Sequence, residues 1–159
     1  MKAASISRIP AKLTAGALAL VLAAGIAPCF LKAYGYQDNS ALGRTKSMAG
    51  SQHEIVMLLI KKGEYEKAAA EAYKIFALKW PDDQEGLLLN ELLLLSNQFV
   101  SNNQPAISLK LIENTSRGFK QTRSRIAILK EKGYICKKMG QDDKAIDYFR
   151  QAKELEGKD

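Results

Sequence analysis

The sequence predicts an all-α fold: antiparallel helix pairs joined by short turns, preceded by an apolar N-terminal helix. Three observations carry this. Small and apolar residues recur at spacings of three and four along residues 50–159, the period of a helix with one buried face. Gly, Asn and Pro groups punctuate that pattern where turns belong. One long run near the N-terminus has no charge at all: Leu13 to Leu31, LTAGALALVLAAGIAPCFL.

Residues 1–12 carry Lys2, Arg8 and Lys12 and read as a basic n-region. Residues 13–33 read as a transmembrane anchor or a signal peptide. The 19 residues from Leu13 to Leu31 would span about 28 Å as a helix, close to the hydrocarbon thickness of a bilayer. A cleaved signal needs small residues three and one before the cut, and Ala23 with Gly25, or Ala33 with Gly35, fit. Ile26-Ala27-Pro28-Cys29 is a poor lipobox because Pro28 stands where a small Gly or Ala belongs. Length favours the anchor. The N-terminal cations favour an inside start with the bulk of the chain outside. Either way the expected location is a bacterial-type cell envelope. The chain is then a single-pass inner-membrane protein with its C-terminal domain in the periplasm or outside, or is secreted to the periplasm if cleaved. Residues 34–49, rich in Gly, Ser and polar side chains, are expected to be a linker, and residues 50–159 a helical repeat domain.

Charge and cysteine content narrow the function. The formal net charge is +7, yet residues up to Ser47 hold six bases against Asp38, which leaves only +2 for the rest. The excess therefore flanks the apolar run, and nucleic-acid binding is not expected. Cys29 and Cys136 lie far apart, no CxxC exists, and His53 is the single histidine, so neither a disulfide framework, a zinc site nor any other cofactor is expected.

The last helix pair is the clearest. Ile126, Leu129, Gly133 and Cys136 recur on one helical face, Gly140 suits a helix C-cap, and Asp142 or Asp143 can cap the next start. Ala145, Phe149 and Ala152 alternate small with large, so two helices can interlock, with Gly133 admitting the close approach. This series resembles the tetratricopeptide repeat, with Lys132, Cys136 and Gly157 as departures. A looser match stands at the front: Gly63, Tyr65 and Ala68, ending in Trp80-Pro81, with Val56 where a small residue belongs and Ala72 in place of Phe. Between them GLLLNELLLLSNQF suits a helix sandwiched between neighbours, Asn102 to Pro105 a turn, and Gly118 a stop. Ala68, Ala106 and Ala145 then mark equivalent points. Repeats are expected at about 49–82, 85–119 and 126–159, and the resemblance implies a short right-handed superhelix of about three.

No catalytic constellation emerges. Asp82-Asp83 and Asp142-Asp143 precede apolar-periodic runs and read as helix caps, and Cys136 reads as a buried small hydrophobe. The resemblance implies instead a groove lined by the first helix of each pair. The candidate partner-binding residues are His53, Met57 and Ile60, then Glu91 (with Gln98), then Lys130, Tyr134, Lys137 and Lys138. Charge also segregates: Asp82 to Leu109 holds four acids and no base, whereas Lys110 to Lys138 holds nine bases against Glu113 and Glu131. The expected function is a non-enzymatic scaffold that helps assemble an envelope complex by holding a segment of a protein partner. The alternative is a single-span accessory subunit of a membrane complex, held by the small residues Gly16, Ala19, Ala23 and Gly25 of its apolar helix.

Overall fold

The computed structural model describes residues 40–158, and the apolar run with its basic flank lies outside them. The described residues form six α-helices: α1 Ala41–Lys61, α2 Tyr65–Phe76, α3 Glu85–Ser101, α4 Pro105–Thr115, α5 Thr122–Lys138 and α6 Asp142–Glu156. One-turn 3₁₀ segments, Asp82–Gln84 and Ser116–Gly118, lie between the pairs. None of these helices is long and apolar enough to cross a membrane.

The first helix corrects the expected linker. It begins at Ala41, where the Ser40 hydroxyl accepts the Gly43 N–H at 2.9 Å as an N-cap. Residues 41–49 are helical although they lack an apolar stripe, because this end of α1 stands largely in solvent and buries only Ala49. His53 therefore sits mid-helix.

Each pair closes through the same turn. Gly63, Asn103 and Gly140 have φ of 75°, 60° and 71°, the left-handed region. The N–H groups of Glu64, Gln104 and Gln141 reach back to the carbonyls of Leu59, Phe99 and Cys136 at 2.9, 2.8 and 2.9 Å. Gly63, Asn103 and Gly140 donate to Ile60, Val100 and Lys137 at 2.9, 3.1 and 3.0 Å. This double bond pattern is the Schellman motif, repeated three times. It sets the repeat register at 40 residues and then 37, from Gly63 to Asn103 to Gly140.

That register moves one expected equivalence. Ala68 and Ala145 are buried at 0% and 4%, but Ala106 is exposed. Their counterpart is Ser108, fully buried, 40 residues after Ala68 and 37 before Ala145. Asn at the turn and Ser at the crossing hide the middle repeat from a search for Gly and Ala.

Size compensation runs through the same positions. Val56, Ser96 and Gly133 correspond on the first helices, and Ala72, Ile112 and Phe149 on the second. By register the first pair carries large then small at these positions, and the last carries small then large. A Cβ on Gly133 would lie 2.7 Å from Phe149 Cε1, so this crossing requires the missing side chain. Val56 and Ala72, departures when taken singly, are both fully buried and reverse the Gly133–Phe149 sizes. The acidic pairs differ from expectation: neither Asp82-Asp83 nor Asp142-Asp143 makes a capping hydrogen bond, and they place charge in a first turn instead.

The core runs through all three pairs, with Val56, Ile75, Leu92, Leu95, Phe99, Leu111, Ile112 and Ile135 nearly inaccessible. Between the second and third pairs, α3 and α4 both pack on α5. Between the first and second, α2 packs on α4, but α1 makes little backbone contact with α3. That gap is the main irregularity of the stack.

Candidate partner-binding groove

The gap between α1 and α3 forms a cleft of about 550 Å³. Its α1 wall has little side-chain bulk, since Ala49 and Gly50 face the space and a Cβ on Gly50 would meet nothing within 4 Å. Its α3 wall presents Leu87, Glu91 and Leu94, spaced four and three apart and so on one face. Leu87 and Leu94 are each 44% exposed and share that face. Trp80 and the buried Ile75 form the floor, and the Trp80 indole N–H donates to the Ile75 carbonyl at 2.9 Å, fixing the ring.

A polar bridge crosses the cleft. Glu91 Oε1 accepts from His53 Nδ1 at 2.6 Å, joining α3 to α1. Both side chains are about a quarter exposed, at 23% and 26%, so the pair is accessible from the cleft. Lys46 and Glu54 stand at the rim. The arrangement suits recognition of a chain segment: apolar ledges with one oriented polar pair between them.

The eight expected binding residues do not form one cluster. His53 and Glu91 meet. Met57 is half-buried against the core, and Ile60 is 5% exposed, so Ile60 is a core residue rather than a contact. Its carbonyl accepts the Gly63 N–H of the first turn, and its side chain belongs to the core. The four from α5 lie outside this cleft. Lys130 pairs with Glu156 of α6, which holds the ammonium pKa above its usual value. Tyr134 is 60% exposed, edge-on to Phe149 with ring centres 5.2 Å apart. Lys138 Nζ donates to the Val100 carbonyl at 3.3 Å, and Lys137 is exposed. Gln98 is half-buried and its carbonyl accepts from Asn102. By register the α3 counterparts of His53, Met57 and Ile60 are Leu93, Asn97 and Val100 rather than Glu91 and Gln98.

The repeating turns and the Gly133–Phe149 crossing describe a known architecture. Residues 131–159 match the family model of the tetratricopeptide repeat. No curated protein matches the chain. The matched stretch contains the last Schellman turn and the whole of α6, and the first and middle pairs reproduce its turn geometry. Tetratricopeptide repeats are typically interaction modules that bind protein partners.

Sequence reasoning missed Gly50, Trp80, Leu87 and Leu94. The signal was present in α3, whose excess of leucine exceeds what two neighbours can cover once α1 stands away. Among the described residues no group of His, Cys, Asp and Glu could hold a metal ion. Cys136 is fully buried, and that burial raises its thiol pKa, the reverse of an activated nucleophile.

Proposed function

We propose that this protein is a non-enzymatic scaffold that holds an extended or helical segment of a partner protein in the cleft between α1 and α3. The observation that carries the proposal is the open α1–α3 junction, with Leu87 and Leu94 unpaired beside the His53–Glu91 bridge. Covering the exposed part of each leucine would contribute roughly 1 kcal/mol, and the polar pair would fix the register of the bound segment. The uncharged run from Leu13 to Leu31 supports tethering to, or export across, the cytoplasmic membrane, so that partners are envelope proteins. Assembly or stabilisation of an envelope complex follows as the role.

A photo-crosslinking amino acid placed at Leu94 tests this in cells, with Ile146 on α6 as the comparison site, since it is similarly exposed at 47%. A discrete crosslinked partner from position 94 and none from 146 is expected. Equal products from both positions, or none from 94, would remove the groove from the function.

A further inference from the structure

A second cleft, of about 530 Å³, lies between α5, the end of α6 and the turn leading out of α4. Phe119 and Ile128 form its floor and are nearly buried at 5% and 4%, with Leu129 and Leu155 half-exposed beside them. Four cations line it, Arg117, Arg125, Lys132 and Lys158, against the single acid Glu154. Lys132 is engaged over the Tyr148 ring, 5.5 Å from its centre. Among the described residues Arg117, Arg125 and Lys158 take part in no ion pair. Elsewhere on the surface, lysines near carboxylates do pair with them, as Lys67 with Glu64 and Lys74 with Glu71.

We propose that this cleft binds an acidic peptide segment that inserts one large apolar side chain between the cations. The argument is charge complementarity joined to shape. Uncompensated guanidinium and ammonium groups surround an apolar recess, so carboxylates flanking a Phe or Leu satisfy both at once. A bilayer surface is a poorer fit, because its headgroups meet a protruding basic face, whereas these cations rim a recess. The site shares no residue with the α1–α3 groove and stands independently of it.

The test uses the full chain in neutral detergent and a fluorescein-labelled peptide of Glu and Asp around a central Phe, read by anisotropy. Binding is expected to weaken at least about tenfold in the Arg117→Glu/Arg125→Glu double variant, equivalent to the loss of about 1.4 kcal/mol. A comparable loss is expected on the wild-type chain for the peptide with Gln and Asn replacing its acids, and for the one with Ser replacing Phe. These two comparisons need no variant to fold. Gly50→Leu should leave this binding unchanged. Equal affinity for the acidic and amide peptides would overturn the proposal. So would unaltered peptide binding by the double variant combined with loss of its sedimentation on phosphatidylglycerol vesicles, which would assign the cations to lipid. Loss of a concentration-dependent dimer with no change in peptide binding would assign them to a second copy and overturn it equally.

Discussion

The two junctions between helix pairs follow the same turn geometry, at spacings of 40 and 37 residues, and end differently. At the second, α3 lies against α5 and polar groups secure it: the Ser96 hydroxyl donates to Glu131 at 2.6 Å, and the Glu85 carboxylate accepts the Lys120 and Gln121 N–H groups at 2.9 and 3.0 Å. The Glu85 bonds tie down the two residues that lead into α5, whose N-cap Gln121 makes no side-chain capping bond. At the first, the rear closes through Tyr73 of α2, whose hydroxyl donates to the Lys110 carbonyl at 3.4 Å and accepts from Asn114 at 2.8 Å, while the front stays open. Among the described residues the His53–Glu91 pair is the one hydrogen bond that spans it. One repeat fold thus yields a sealed junction and a cleft, and the difference lies in which residues stand on the first helix of each pair. The proposed groove rests on incomplete packing between α1 and α3.

The largest expected effect tests the size compensation inside the helix pairs that flank these junctions. Gly133→Val should destabilise the fold by about 2–3 kcal/mol, since its side chain must displace the Phe149 ring. Adding Phe149→Ala should recover part of that loss, a non-additivity visible in urea unfolding followed by circular dichroism. Simple additivity would remove the compensation account, including the inverse Val56–Ala72 pairing.

Next in size is the sealed junction. Burial raises the Glu85 pKa, but the Ser124 hydroxyl and the two backbone N–H groups outweigh it, so the carboxyl titrates below its ordinary value. A depressed carboxyl pKa contributes stability that is present above the unfolded value, about 4.3, and lost as pH falls through the folded value. Glu85→Gln should therefore cost about 1–2 kcal/mol at neutral pH, and its deficit against wild type should shrink as pH drops below about 4. A deficit independent of pH would show that the carboxylate charge does not hold α5. Ser96→Ala should cost about 1 kcal/mol, leaving Glu131 without its donor.

How far the sequence disclosed this follows from the same contrast. The last pair was legible because Gly133, Gly140, Ala145 and Phe149 each carry one steric demand that few residues satisfy. The middle pair was obscured by substitutes that meet the same demands. Asn103 tolerates the left-handed turn, and Ser108 is as small as Ala while bonding Ser96 at 2.8 Å. The start of α1 escaped notice because an exposed helix needs no apolar stripe, only a cap such as Ser40. The groove was half legible. His53 and Glu91 were both expected on the first-helix face of their repeats and prove to be partners, whereas Leu87 and Leu94 looked like core until α1 was seen to stand away. Ile60 shared the helical face of a binding residue but is 5% exposed and belongs to the core.

The smallest expected effects on stability belong to the open junction. His53→Ala should change stability by about 0.5 kcal/mol or less, because the pair it breaks is partly solvated. A larger loss would mean that α1 depends on this bridge and that the cleft is a structural seam.

Gly50 gives the most direct test of the groove. Nothing lies within 4 Å of the Cβ it would carry, so Gly50→Leu should fill the cleft while stabilising the helix by about 0.5–1 kcal/mol. Recovery of the partner identified by crosslinking from Leu94 is the measurement, taken beside the unfolding midpoint of the same full-length variant. The α1–α3 groove account expects recovery to collapse with the midpoint unchanged or raised. Undiminished recovery from a stably folded Gly50→Leu protein would contradict it.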